Sequence, residues 1–580
     1  MQDLQRFLTE QFRVAIVKAF GEAHASVDPV IRPAANPKFG DYQANLAMSL
    51  AKVLGAKPRD IATKIVDALD RGEWAEKFEI AGPGFINVHL RTAFLGERVS
   101  MAARDERIGV APAAIPETVV VDYSAPNVAK EMHVGHLRST IIGDCIARTL
   151  EFLGHSVIRQ NHLGDWGTQF GMLIEHMIEV GWDGPGERSI RDLNVLYKDS
   201  KKKFDADPAF AERSRARVVL LQGGDAKTLT LWRVLIAQSQ VHFNDAYRRL
   251  GVKLTDDDVR GESFYNDRLA PTVAELEAKG LARENDGALC VFPAGFKRED
   301  GEPLPLLIRK TGGGFLYATT DLAALRYRLT ELRANRLVYV TDARQKQHFA
   351  MVFEVARMAG WITSEVRVEH VPFGMVLGED GKPFKARSGE SVRLSELLDE
   401  AQERARGILA EKKSDLDAAT RENVASVVGI GAIKYTDLSN DRVKDYVFSW
   451  ERMLSFDGNT APYLQNAYVR IRSIFRRANL TAAPLEAVVD PREPAERTLA
   501  LTLMQFPTAV GAVAESLEPH RMCGYLYDLA AGFHSFYEHC SIKDAPDEAT
   551  RSSRLVLCDL TARTLARGLG LLGIGVVEQM

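Results

Sequence analysis

Hydrophobic positions divide the chain into stretches of two different periods. Leu4, Phe7, Leu8, Ala15 and Phe20 fall near helical spacing, as do Ile61, Ile65, Val66 and Leu69. The run FEIAGPGFINVHL that follows alternates apolar and polar residues about a Gly-Pro-Gly turn, which predicts a strand pair. Residues 1 to about 110 therefore read as an α/β module of their own, and Gly109–Glu117, with two prolines, as its linker. Val119-Val120-Val121 is a β-branched run suited to a buried strand. A Ser-Ala-Pro-Asn turn leads from it into a predicted helix with apolar positions at Ile142, Ile146, Leu150 and Leu153, closed by Gly154. SVIRQNHLGDWGTQFG reads as a second strand with a glycine-rich exit. Two further strands, Arg336–Thr341 and Val366–Val371, flank a helix, which is βαβ character and implies a parallel sheet. Between about 180 and 300 the pattern turns to charged helices, read as an insertion in this fold. From about 400 nearly everything is helical, ending in the apolar Leu555–Leu572 stretch. The expected units are 1–110, 118–400 and 401–580.

At 580 residues the chain exceeds one hydrophobic core, and about 150 residues per domain gives three or four domains. Apolar content of 46% and charged content of 26% are those of a globular protein. A net charge of −4 does not advertise a nucleic-acid binder and weighs only weakly against one, since a local basic face is enough to contact phosphates. The five cysteines lack C-x-x-C spacing, so neither a disulfide framework nor a structural metal is expected, and a reducing cytoplasm is. No signal sequence or membrane-length apolar run is present, and no membrane association is expected.

The chemistry concentrates in a few places. His133-Val134-Gly135-His136 puts two imidazoles where free backbone N–H groups and the positive end of a helix attract polyphosphate. Gly135 removes a side chain, so a base or ribose can approach the backbone. Four residues alone fit two surface histidines equally well. The strand–turn–helix setting favours a nucleotide site, of a kind different from a Walker loop. Phe373–Gly389, FGMVLGEDGKPFKARSG, is either an exposed hairpin with basic tips or a second phosphate clamp carrying Lys382, Lys385 and Arg387. Its position after the βαβ unit favours the clamp. Asp122 ends the Val119–Val121 strand, before the Pro-Asn turn. Tyr317 and Asp321 are four apart and share a face if helical, although Asp321 would also serve as a helix N-cap and Tyr317 as a core aromatic. Asn459–Arg477 places Arg470, Arg472, Arg476 and Arg477 with Tyr463 and Tyr468 on one helix, which suits RNA phosphates and bases or simply a solvated amphipathic face.

The string SAPNVAKEMHVGHLRST resembles the H-I-G-H signature region of class I aminoacyl-tRNA synthetases, and is similar to the arginyl-tRNA synthetase family in particular. The likeness spans the chain. It implies a Rossmann-like parallel-sheet catalytic domain, an N-terminal tRNA-contacting module and an all-α anticodon-binding domain. It also implies ATP with Mg²⁺, L-arginine and tRNA(Arg) as partners, a tRNA-dependent first step, and a monomer. His133, Gly135, His136 and Lys385 would bind ATP, with the backbone of Gly374, Met375 and Val376 at the adenine edge. Lys385-Ala386-Arg387-Ser388-Gly389 keeps the first lysine of the family's K-M-S-K-S motif and lacks the second, for which Lys130 matches the substitute, with Lys382 beside the loop. Asp122, Tyr317 and Asp321 would grip the guanidinium, a planar five-donor cation that suits forked acids. Asn127, His136 and Gln345 would hold the α-amino and α-carboxyl groups. On the RNA side the resemblance implies Tyr463, Arg470 and Arg472, with Tyr537 and Met580 near the anticodon and Phe39 and Gln43 at the D-loop. Two alternatives compete. Another H-x-G-H nucleotidyltransferase lacks the Asp122/Tyr317/Asp321 set, and a silent RNA-binding paralogue would not need intact histidines and Lys385.

Overall fold

Val119, Val120 and Val121 are each 1% exposed or less, because their strand lies inside a sheet covered on both faces. In a computed structural model, which describes residues 3–182, 190–384, 392–411 and 416–580, this strand runs Thr118–Asp122. It pairs in parallel with Ser156–Gln160 on one side and with Arg336–Asp342 on the other, and the latter pairs in parallel with Arg367–Phe373. The spatial order is therefore 367–373, 336–342, 118–122, 156–160. The chain steps from the first strand to one neighbour and later returns on its other side. The carboxyl ends of 118–122 and 336–342 thus flank a topological switch point, where open parallel sheets bind ligands.

The helix after the first strand spans Val134–Phe152, capped at its start by His133, with Gly154 at φ +87° just beyond its end. It packs so closely on the strand exit that a Cβ on Gly143 would lie 2.3 Å from the Tyr123 side chain.

The segment from 1 to 110 holds a four-stranded antiparallel sheet, including the hairpin of Ala75–Ala81 and Phe85–Leu90, covered by helices Leu4–Phe20 and Pro58–Ala68. Arg497 from the C-terminal helices reaches back to Asp41 of this segment at 2.7 Å. Between 190 and 278 the insertion is helical, led by the 25-residue helix Ala226–Leu250. Its last part corrects the helical expectation: Ala282–Asn285, Ala288–Val291 and Leu306–Arg309 form an antiparallel sheet. The signal was present, since Asp286 and Gly287 at φ +50° and +74° make the two-residue turn that a hairpin prefers. Lys201 and Lys203 of the lysine triplet ion-pair with Asp205 and Glu179, as a solvated face does. Helices from Leu394–Glu411 to Glu548–Leu571 complete the chain. Among the described residues no helix is long and apolar enough to cross a membrane.

Candidate active site

The turn between the first strand and its helix gathers three strained non-glycine residues within six positions. Ser124, Ala125 and Ala129, none of them glycine, have φ of +74°, +48° and +62°. Each such residue costs on the order of 1–3 kcal/mol, so the surroundings must hold it. They do so through hydroxyls and amides. The Ser124 amide donates to Ser139 Oγ (2.9 Å), the Ala125 amide to Asn161 Oδ1 (3.0 Å) and the Ala129 amide to Ser239 Oγ (2.9 Å). The Tyr247 hydroxyl joins Ser124 and Asn161 at 2.8 and 2.9 Å. Ser239 and Tyr247 come from the insertion, so that helix supports the turn rather than decorating the fold.

The turn delivers His133 and His136 to the helix mouth. The His133 Nδ1 accepts the Gly135 amide at 3.0 Å, and the His136 Nδ1 accepts the His133 amide at 3.1 Å. An amide donor requires an unprotonated acceptor, so each neutral ring carries its proton on Nε2. Burial and the nearby His133 and Lys130 charges hold His136 down at about 3; burial, Arg344 and Lys130 lower His133 as well. Both rings are therefore neutral donors near pH 7, with centroids 4.0 Å apart. A Cβ on Gly135 would come within 2.9 Å of the His133 ring, so only glycine lets that ring fold over its own helix end.

Lys130 lies beside this mouth with its ammonium 4.5 Å from the Tyr197 ring centroid. Lys382, at the Asp380-Gly381 turn, is exposed. Lys385 and Arg387 lie outside the described residues. The segment following them is fastened to the first signature: the Val134 amide donates to the Val392 carbonyl (3.2 Å), the Leu394 amide to that of Met132 (2.9 Å), and Arg393 pairs with Glu131 (2.9 Å). The preceding residue, Phe384, stacks on Phe448 at 4.5 Å.

Gly374, Met375 and Val376 follow the edge strand, but their backbone is largely engaged. The Gly374 amide donates to Arg442, that of Met375 to Asp445 Oδ1, and the Val376 carbonyl accepts from Phe384. The remaining capacity is the second lone pair of each carbonyl and the half-exposed Met375 side chain.

The acids are arranged differently from the sequence expectation. Asp122 does not stand free: buried, it pairs with the equally buried Arg328 at 2.7 Å, and Arg328 also donates to Gln160 Oε1 at 2.6 Å. A carboxylate already matched to an internal guanidinium is no open fork. Tyr317 and Asp321 lie on one helix, Tyr317–Thr330, which begins at Tyr317, so Asp321 is not its cap. Tyr317 is 66% exposed, and Asp321 bonds His348 Nε2 at 2.6 Å. Sequence reading missed His348, whose ring is 5.0 Å from that of Tyr317, and Glu262. Glu262, Tyr317, Thr320 and Trp166 line a cavity of about 470 Å³. Burial, together with Asp165 and Asp321, pushes the Glu262 carboxyl up to about 7. An acid so short of a counter-charge favours a cationic visitor. Glu262 is contributed by the insertion, far in sequence from every motif, and nothing in the sequence pointed to it.

Asn127 is exposed and bridges to Gly164, and Gln345 is exposed at the end of a short turn after Asp342. Elsewhere, Phe39 is 47% exposed, whereas Gln43 bonds Asn87 at 2.9 Å. Tyr463 bonds His534, Arg470 lies 5.4 Å from the Tyr537 centroid, and Arg472 pairs with Glu578 at 2.9 Å. Met580 packs on the core.

A strained turn, a two-histidine helix mouth and a switch-point crevice together match a known catalytic class. The family described as tRNA synthetases class I (R), catalytic domain, matches residues 99–450, so this sheet and crevice are a class I aminoacyl-tRNA synthetase core. The arginyl tRNA synthetase N-terminal domain matches residues 6–90, and the DALR anticodon binding domain residues 464–580. The arginine–tRNA ligase of Cellvibrio japonicus is 53% identical over 98% of both chains, and that of Thermobifida fusca 52% over all of both. Among solved structures, arginyl-tRNA synthetase from Plasmodium falciparum superposes over all of both chains with a TM-score of 0.86 at 31% identity, and that of Thermus thermophilus with 0.82 at 28%. The chain belongs to the arginyl-tRNA synthetase family, and is a ligase.

Proposed function

We propose that the protein activates L-arginine with ATP and passes the arginyl group to the 3′ end of tRNA(Arg). A carboxylate oxygen of arginine attacks the α-phosphorus of ATP, pyrophosphate leaves, and the terminal ribose hydroxyl of the tRNA then displaces AMP from the carbonyl carbon. The observation that carries this reading is the pair of imidazoles fixed at the helix mouth through the Gly135 and His133 amides, which leaves each Nε2–H as the available donor. Such fixed donors gain strength as charge develops on the phosphates, with no reorganisation at the moment of reaction.

In this reading His133 and His136 bind the phosphates over Gly135, aided by Lys130, Lys382 and Lys385 and by Mg²⁺ brought with ATP. The base lies along Gly374, Met375 and Val376. The guanidinium enters between Tyr317, Asp321 and Glu262, with His348 holding Asp321. Asp122 acts through Arg328, which ties the Tyr317–Thr330 helix to the sheet floor. Asn127, Gln345 and His136 orient the α-amino and α-carboxyl groups. A neutral amino acid would leave the acids desolvated and unpaired, which rejects it. Phe39 and Gln43 on one module, and Tyr463, Arg470, Arg472, Tyr537 and Met580 on the other, contact the tRNA.

The test is ATP–pyrophosphate exchange with each amino acid, with and without tRNA. Exchange with arginine alone, and only with tRNA present, supports the reading. Exchange with another amino acid reassigns the pocket, and no exchange in any combination makes the chain a silent RNA-binding relative.

A further inference from the structure

Arg138 stands two residues beyond His136 in the signature helix, 1% exposed, and none of the roles above uses it. Burying a guanidinium is costly unless its partners are well placed. Asp437, from the helix Ala418–Leu438 and likewise 1% exposed, meets its Nε at 3.0 Å. Its Nη1 donates to the Gly374 carbonyl at 2.7 Å and to that of Lys444 at 3.4 Å. The guanidinium carbon lies 5.2 Å from the Tyr446 ring centroid and 5.8 Å from that of Phe373. The Tyr446 hydroxyl donates to Asp437 Oδ2 at 3.0 Å, and Tyr446 pairs with Val376 in a short parallel ladder.

These contacts close a ring. The helix mouth that bears both imidazoles is joined through one side chain to the carbonyl of Gly374, and through Asp437 and Tyr446 to the short strand Val376–Leu377 just beyond it. Gly374 is itself pressed on this support, for a Cβ there would lie 2.6 Å from Asp445 Oδ1 and 2.8 Å from the Lys444 carbonyl oxygen. Lysine could pair with Asp437 or bond the carbonyl, but a single ammonium lacks the fork that does both in a fixed geometry.

We propose that Arg138 and Asp437 are positioning residues of the nucleotide site, setting the distance and angle between the imidazoles that meet the phosphates and the Gly374–Val376 backbone that meets the base. This rests on the placement of the base given above. ATP spans both elements whereas arginine touches only the helix side, so loosening the ring separates the two substrates kinetically.

The test uses the full-length protein in tRNA-supported pyrophosphate exchange. Asp437→Asn and Arg138→Lys are expected to raise the KM for ATP about tenfold or more, the scale of a lost charged hydrogen bond, while the KM for arginine stays within about twofold. Tyr446→Phe, which leaves the ion pair and removes only its brace, shifts the ATP KM the same way by less, and keeps the test available if the charged variants fail to fold. A crystal structure with a non-hydrolysable ATP analogue separates the two ideas. A base seated on the Gly374–Val376 backbone, beside ring variants whose ATP KM is unchanged, leaves the placement standing and overturns the positioning role. A base seated elsewhere overturns both. Ring variants that lower only the melting temperature, or that raise both KM values alike, reduce the pair to a structural brace and overturn the proposal.

Discussion

His136 has two separable duties, and two substitutions part them. Its Nδ1 caps the His133 amide at 3.1 Å, while its Nε2–H is the donor that the proposed function assigns to the phosphates. Asparagine places Oδ1 where Nδ1 stood, the same number of bonds from Cβ, so it keeps the cap and deletes the donor. Glutamine reaches the Nε2 position with an amide N–H but leaves the cap unmade. Losing a fixed transition-state donor costs about 10²–10³ in rate, or ~2.7–4 kcal/mol. Losing a helix cap costs about 0.5–2 kcal/mol of stability and little rate. His136→Asn should therefore melt near the wild type yet form arginyl-adenylate at least about 10²-fold more slowly in single-turnover rapid quench. His136→Gln should melt lower and retain more of the rate. An Asn variant within about threefold of the wild-type rate would refute the Nε2–H donor role, and so would a Gln variant slower than the Asn variant.

Asp321→Asn should raise the KM for arginine about tenfold or more and that for ATP little, since a charged hydrogen bond is lost at one end only; equal effects would make Asp321 merely structural. Asp122→Ala should instead destabilise by about 3–5 kcal/mol, because it strands Arg328 in the core, and chemical denaturation that finds no loss would contradict the internal pairing. Glu262, held near 7, should release a proton when the guanidinium arrives. Calorimetry of arginine binding at pH 6.5 in buffers of differing ionisation enthalpy reads this, and an uptake of protons, or a release that persists in Glu262→Gln, would oppose it. His136 is neutral when folded down to about 3 but protonates near 6.5 when unfolded. Its contribution to stability is therefore complete above about pH 6.5 and is lost as pH falls toward 3. The difference in stability between wild type and His136→Asn should shift with pH in that window, and a constant difference would contradict the depressed titration.

The parts legible in the sequence were those fixed by local pattern. Val119–Val121, the histidine-bearing helix and the later βαβ unit carry their own periodicity, so the parallel sheet and its crevice could be read directly. The four-residue spacing of Tyr317 and Asp321 could be read as well, because a helix puts them on one face. What could not be read depends on contacts between distant segments. Nothing near Asp122 announces that Arg328, 206 residues later, fills its carboxylate. Glu262 and Tyr247 sit in charged helical sequence that looks like solvated surface, yet the fold brings one to the acid pocket and the other under the strained turn. The hydrogen bonding of Gly374–Val376 could not be read either, because nothing in that stretch says that Arg442, Asp445 and Tyr446 will take its groups.

The central claim is that one crevice holds phosphate between His133 and His136 and a guanidinium beside Asp321 and Glu262. A crystal structure with a non-hydrolysable arginyl-adenylate analogue tests it directly. The phosphoryl oxygens should lie within hydrogen-bond distance of the two Nε2 atoms, with the guanidinium against Asp321 and Glu262. An analogue whose guanidinium instead displaces Arg328 from Asp122, or whose phosphate avoids both imidazoles, would contradict the account.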